Sequence, residues 1–264
     1  IRTNLIQPVS RLVTPEIYNS LVGLHGITMI IALIVVSTGP FGNFILPIMI
    51  GARDMAFPRL NALSWWLLFT AIITLCSAWF FGGIPTGWTA YAPLSVQAGP
   101  GMNAFIVAII IFAISSAIAG ANITTTVVTM RAKGMNLTRI PIFVIGATIS
   151  VAMAIPAFPT FMASQIMAAF DRTIGIGFYD ANVGGSGWLY AHLFWIMGHP
   201  EVYVILIPGV AVLLEIAPVF VRKPLFSINS AILGFAGIAG LSFLVWAHHM
   251  YISGWSPSLN GPFM

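Results

Sequence analysis

Five histidines, His25, His192, His199, His248 and His249, lie in long runs that otherwise carry almost no charge. An ionisable side chain at lipid depth is expensive, so it is expected to face a bundle interior and to serve function. Neutral imidazole is the commonest side-chain ligand of copper, iron and zinc. Adjacent His248 and His249 point about 100° apart on a helix, and both reach one ion only if it sits against the helix flank. With His199 from a neighbouring helix they would make a three-imidazole site with open coordination positions. The plainer alternative, a hydrogen-bonded structural histidine, stays open for each, and His192 matches no ligand role.

Around His199 the sequence reads Gly198-His199-Pro200-Glu201-Val202-Tyr203. His199 and Tyr203 are four residues apart, which puts a phenol beside the imidazole on one helix face, while Glu201 points elsewhere. Pro200 removes a backbone donor and is expected to distort the helix where polar groups or water can be accommodated. Glu201, isolated in apolar sequence, is a carboxyl that can hold and release a proton. Asp54, in Ile50-Gly51-Ala52-Arg53-Asp54, reads either as a solvated loop charge paired with Arg53 or Arg59, or as the mouth of a proton path. Asn43, Asn61, Ser64, Ser115, Ser116 and Asn122 fall at depths between Asp54 and Glu201 and can order water. The same residue types also hold membrane helices together, so polarity alone leaves both readings open.

Composition dictates what must position these groups. Of 264 residues, ten are Lys or Arg and six Asp or Glu, 59% are apolar, and mean hydropathy is +0.99. Soluble domains carry about 25% charged residues. Charge-free stretches at 17–52, 60–130, 140–170, 181–200 and 224–264 each offer the roughly 20 apolar residues with which a helix crosses a bilayer. The expected fold is therefore an all-α membrane protein, a polytopic transmembrane helical bundle. Six spans are expected near 17–50, 60–82, 103–130, 140–170, 187–219 and 226–252, in a single domain over 1–264. Gly39-Pro40 predicts a kink in the first span, and Pro156 with Pro159 in the fourth.

Loops 51–59, 131–139 and 220–225 hold Arg53, Arg59, Arg131, Lys133, Arg139, Arg222 and Lys223 and are expected inside, in cytoplasm or matrix. Arg2, Arg11, Arg172 and the uncharged loop 83–102, with Trp88 and Tyr91, then fall on the other side. A net charge of +4 with no basic cluster longer than Arg222-Lys223 argues against a nucleic-acid partner. A single cysteine, Cys76, excludes an internal disulfide framework or a cysteine metal site within the chain. A start at Ile1 without a basic-then-apolar leader, and an end at Met264, are expected of a piece of a longer protein.

The run Trp195-Ile196-Met197-Gly198-His199-Pro200-Glu201-Val202-Tyr203, followed by Val245-Trp246-Ala247-His248-His249-Met250-Tyr251, resembles subunit I of the haem–copper oxidases. Similar too are Phe41-Gly42-Asn43, Met49-Ile50-Gly51-Ala52, Asp54-Met55-Ala56-Phe57-Pro58-Arg59, Thr86-Gly87-Trp88-Thr89 and Ile1-Arg2, so the likeness covers most of the chain. It implies that the six spans are the second to seventh of a bundle of about twelve, with most of the first helix and everything after the seventh lacking. By that resemblance His199, His248 and His249 would bind the copper of a binuclear centre shared with a high-spin haem. Tyr203 would be the tyrosine joined covalently to His199. His25, in Leu24-His25-Gly26, would be an axial ligand to the iron of a low-spin haem, with Arg2 and Trp88 near that haem and Trp195 beside the copper. Asp54, Asn61, Asn43, Asn122, Ser64, Ser115 and Ser116 match the proton-uptake route that starts at an aspartate, and Glu201 matches its terminal glutamate.

The activity so implied is four-electron reduction of O2 to water in a respiratory chain, coupled to proton pumping. The implied partners are cytochrome c or quinol as electron donor, other oxidase subunits including subunit II, and membrane lipid. In the family the second axial ligand of the low-spin haem, the protein ligand of the oxygen-binding haem and the lysine of a second proton path lie on a later helix, past Met264. Leu214 and Glu215 stand where the family often has a small polar residue for that path, and the stretch from His25 to Asn43 is one residue shorter than the common pattern. Two other readings share part of this pattern. A nitric-oxide-reducing relative would share the histidines, but Tyr203 and the Asp54-to-Glu201 route argue for oxygen. A non-enzymatic copper transporter or channel could use three membrane histidines, yet has no need of His25, Tyr203 and a proton route together.

Overall fold

A backbone that crosses lipid must satisfy its own N–H and C=O groups, and this chain does so with helices. The computed structural model describes residues 1–6, 12–39, 41–136 and 139–263, so Arg11 and Pro40 lie outside the described residues. Long helices are α1 (Pro15–Thr38), α3 (Pro58–Ser77), α5 (Gly101–Thr129), α6 (Ile142–Ile174), α7 (Gly187–Val221) and α8 (Ile228–Ser242). Short α2 (Leu46–Ile50), α4 (Leu94–Gln97) and α9 (Pro257–Asn260) sit between or after them. With their flanking turns, six segments are long and apolar enough to cross a membrane, the last being Ile228–Met250. Among the described residues there is no strand.

Two spans are less regular than their apolar runs suggest. The first, expected to run through 17–50, stops as α-helix at Thr38, and a π-type turn over Phe41–Ile45 precedes α2. Across this break the Asn43 N–H donates to the Gly39 carbonyl at 2.9 Å, a bond of ordinary α-helical spacing. The sixth span leaves α-helix at Ser242 and continues as a 3-10 turn over Trp246–Met250. His248 and His249 therefore sit on a tight turn, where successive residues point about 120° apart, and not on a continuous α-helix. By contrast α6 runs unbroken through Pro156 and Pro159, and α7 through Pro200, Pro208 and Pro218.

Helices α5, α6 and α7 form the centre of the bundle, with α3 packed on α5, and α8 on α6 and α7. Small residues permit the close approaches that membrane packing requires. A Cβ added at Gly146 would lie 2.5 Å from that of Ala211 on α7, and one at Gly120 would lie 2.9 Å from the Val151 carbonyl on α6. Phe105, Phe112, Phe158, Phe161 and Phe194 fill the core toward loop 83–100, while Leu46, Ile50, Phe143, Val204 and Ile207 fill it toward the basic loops. Those loops gather at one end: the Ala132 N–H donates to the Ile50 carbonyl at 2.9 Å, and the Glu215 carboxylate accepts from the Phe143 N–H at 3.0 Å. At the other end the Arg172 guanidinium ties α6 to loop 95–99, donating to the Asn103 side chain at 2.6 Å and to four carbonyls at 2.8–2.9 Å. Of the six spans, the last is the least enclosed by the rest of the chain.

Helix α1 meets loop 83–88 at Gly23 and Gly26. A methyl built on Gly23 would lie 2.7 Å from the Ile84 carbonyl oxygen, and one on Gly26 would lie 3.0 Å from the Trp88 Cβ. Overpacking of this kind costs about 1–3 kcal/mol. The substitution Gly23→Ala is thus expected to lower the unfolding temperature of the intact membrane protein in detergent. An unchanged transition would mean that α1 slides away from the loop without penalty.

Candidate metal centre

Helix α7 carries Trp195, His199, Glu201 and Tyr203, and the 3-10 turn that packs on it carries His248 and His249. Together they bring three imidazoles to one point, with one ligand nitrogen from each ring within 4.8 Å of the others. The His199 Nδ1 lies 3.0 Å from the His249 Nε2. Metal–imidazole bonds of about 2 Å put two ligand nitrogens of one ion roughly 3–3.5 Å apart, so this spacing suits a shared ion. The His199 ring is 4% exposed. Its Nε2 is buried with no hydrogen-bond partner.

The ring planes are fixed from outside. Trp195 stacks on His249 with centroids 3.8 Å apart and an interplanar angle of 1°, and its indole N–H donates to the Tyr91 hydroxyl. Burial pushes the Tyr91 phenol above its ordinary range, with the indole contact pulling the other way, so its hydroxyl stays protonated at neutral pH. Trp88 packs against Phe194 and Trp195 at 5.6 and 6.0 Å. The Tyr190 hydroxyl donates to the Thr89 carbonyl at 2.9 Å and accepts from the Gln165 side-chain amide at 2.9 Å. Loop 83–100 is thereby fastened to the helix that bears His199. Neither Tyr91 nor Tyr190 stands out in the sequence as a site residue; their only signal is an aromatic-rich stretch near a membrane end.

Tyr203 lies one turn beyond His199, with centroids 5.0 Å apart. Glu201 is 7% exposed, and among the described residues nothing hydrogen-bonds its carboxyl. A cavity of about 80 Å³ has Asn43, Ser64, Ser115 and Ser116 in its lining and Val204 of α7 on its wall; Glu201, three residues before Val204, is not among the residues that line it. That volume has room for a few waters. The Asn43 amide donates to the Gly39 carbonyl at 3.0 Å, while its Oδ1 is buried without a partner. The Ser115 hydroxyl donates to the Ser64 carbonyl at 2.7 Å, and that of Ser64 to the Asn61 carbonyl at 2.8 Å. Asp54, Asn61 and Asn122 do not line this cavity. Asp54 is exposed in its loop, and the Asn122 carboxamide is engaged with the backbone of Phe57.

His25 is not part of the three-histidine cluster. It stands exposed on α1 in an apolar stripe with Val22, Met29 and Leu33. Arg2 is exposed in a short 3-10 turn over Arg2–Leu5. His192 is enclosed by Trp188, Trp246 and Trp255, with centroids at 4.9, 4.8 and 5.7 Å, away from the ligand nitrogens of the other three.

A bundle of membrane-length helices that gathers one buried and two half-buried imidazoles at one point is the frame of an integral membrane protein with a group that could hold a metal ion. The chain belongs to the family described as Cytochrome C and Quinol oxidase polypeptide I, whose family model matches residues 1–264. It is 38% identical to cytochrome c oxidase subunit 1 of Bacillus subtilis over 265 residues, covering 100% of this chain and 43% of that protein. To the probable quinol oxidase subunit 1 of Staphylococcus haemolyticus it is also 38% identical, over 100% of this chain and 40% of that one. The probable cytochrome c oxidase subunit 1-beta of Nocardia farcinica is 41% identical over 96% of this chain and 44% of its own length. The chain thus spans less than half the length of the relatives it matches. Membership of the family implies haem and copper as cofactors.

Proposed function

We propose that this chain is part of the catalytic subunit of a terminal respiratory oxidase that reduces O2 to water at a haem–copper binuclear centre, coupled to proton pumping. The observation that carries this reading is the meeting of His199, His248 and His249 with Tyr203 alongside. The donor set is all imidazole, which suits copper, and the His199 Nδ1 faces the His249 Nε2 at 3.0 Å. Copper would be held by His199, His248 and His249, and Trp195 keeps the His249 ring in plane. His25 suits a low-spin haem, because its imidazole projects from an apolar face to which a porphyrin can press, with Trp88 close to the same stretch of α1. When bound, the metal and the two haems supply electrons and the positions at which oxygen is reduced.

The chain's own residues then handle protons. Asp54 takes them up from the side of the basic loops, which the charge bias assigns to the cytoplasm or matrix. Water ordered by Asn43, Ser64, Ser115 and Ser116 carries them across the cavity toward Glu201, whose carboxyl holds and passes them on. Tyr203 holds a proton on its phenol oxygen one turn from His199 and can release it toward the substrate. Relatives at equal identity bear both names, so the donor is cytochrome c or quinol. Other oxidase subunits and surrounding lipid complete the assembly.

A reduced-minus-oxidised optical spectrum of the intact complex, with and without carbon monoxide, tests the reading. Haem bands with one carbon-monoxide-sensitive component are expected; a spectrum without haem bands overturns it. For the route, Asp54→Asn is expected to slow proton uptake at least tenfold while haem content is unchanged. Turnover and pumping at the unaltered rate would remove Asp54 from the path.

A further inference from the structure

The loop that follows Asp54 is tied by side chains of another helix. Asn122 and Thr126 lie one turn apart on α5 and are 1% and 0% exposed. The Asn122 Oδ1 accepts from the Phe57 N–H at 2.9 Å, and its amide donates to the Phe57 carbonyl at 3.4 Å. The Thr126 hydroxyl accepts from the Ala56 N–H at 2.9 Å and donates to the Asn122 carbonyl at 2.7 Å. The Met55 N–H goes to the Asp54 Oδ1 at 2.7 Å. Three consecutive backbone donors after Asp54 are thus satisfied by side chains, two of them from a helix some 65 to 70 residues on. Phe57 is the N-cap of α3 and has no side-chain cap of its own, so Asn122 also fixes where α3 begins.

We infer that Asn122 and Thr126 are positioning residues that set the place of the Asp54 carboxyl at the mouth of the route. This rests on the reading of Asp54 as the uptake group. The loop is short and exposed, and a free loop of this kind would let the carboxyl wander by more than an ångström. Misplacement on that scale can cost a positioned group about 10–100-fold in rate. Asn122 therefore acts through the backbone of the loop and not as a ligand of water in the cavity.

The test uses the intact oxidase complex. In the unaltered protein the amide hydrogens of Ala56 and Phe57 are expected to exchange slowly, although they belong to a loop; free exchange overturns the clamp. Thr126→Val keeps the side-chain shape and removes the acceptor. It should speed exchange at Ala56 about tenfold and slow proton uptake about tenfold, with full haem content, and Thr126→Ser should restore both. If Asp54→Asn slows uptake while Thr126→Val alters neither exchange nor uptake, the clamp is wrong and the route stands. If Asp54→Asn leaves uptake unchanged, the route itself is wrong, and the clamp loses its positioning role with it.

Discussion

Replacement of His249 by Asn in the intact complex is expected to leave an oxidase with its low-spin haem spectrum in place, little or no copper, and turnover reduced by more than about 1000-fold. The shape of the site explains the size of the effect. Among the described residues, three imidazoles supply the ligand nitrogens that meet at the centre, and the His249 Nε2 is the atom 3.0 Å from the His199 Nδ1. Even changes in residues that only orient a ligand reduce metal affinity about 10–100-fold, so loss of a ligand from a three-nitrogen site should exceed that. Asparagine also cannot stack on Trp195 as the ring of His249 does. Metal analysis alongside turnover decides the matter: full copper content with normal turnover would mean that the cluster is a hydrogen-bonded structural group.

The second large effect is expected from Glu201→Gln. Glutamine keeps the volume and polarity of a side chain enclosed in the bundle but holds no transferable proton. Because nothing among the described residues hydrogen-bonds this carboxyl, no network is broken by the change. Loss of a positioned proton carrier typically slows a reaction about 100–10,000-fold. Turnover should fall by at least 100-fold while copper and haem contents match those of the unaltered protein. Rapid turnover with normal proton uptake would show that protons reach the centre without this residue.

The six crossings were legible because lipid imposes one simple demand, long charge-free runs, and the chain meets it without disguise. His199 and Tyr203 could be placed side by side because helical spacing alone fixes neighbours at i and i+4. What local pattern could not convey was anything that depends on a partner far along the chain. Asn122 and Phe57 are 65 residues apart, and no periodicity links them, so local pattern shows Asn122 only as a polar residue at mid-depth. Tyr91 reaches Trp195 across 104 residues for the same reason. Apolar runs also hide changes of helix type: hydropathy is blind to the π-type turn after Gly39 and to the 3-10 turn under His248 and His249.

Two of the three clustered imidazoles ride on the span that the rest of the chain encloses least. Its own packing against α6 and α7 is modest, whereas an ion gripped by His199, His248 and His249 would rivet its end to α7. Binding free energy at such a centre is then also docking free energy for the element that supplies the ligands. Metal loading and closure of that side of the bundle would then be a single equilibrium, with the ion as the last piece of the scaffold as much as its passenger.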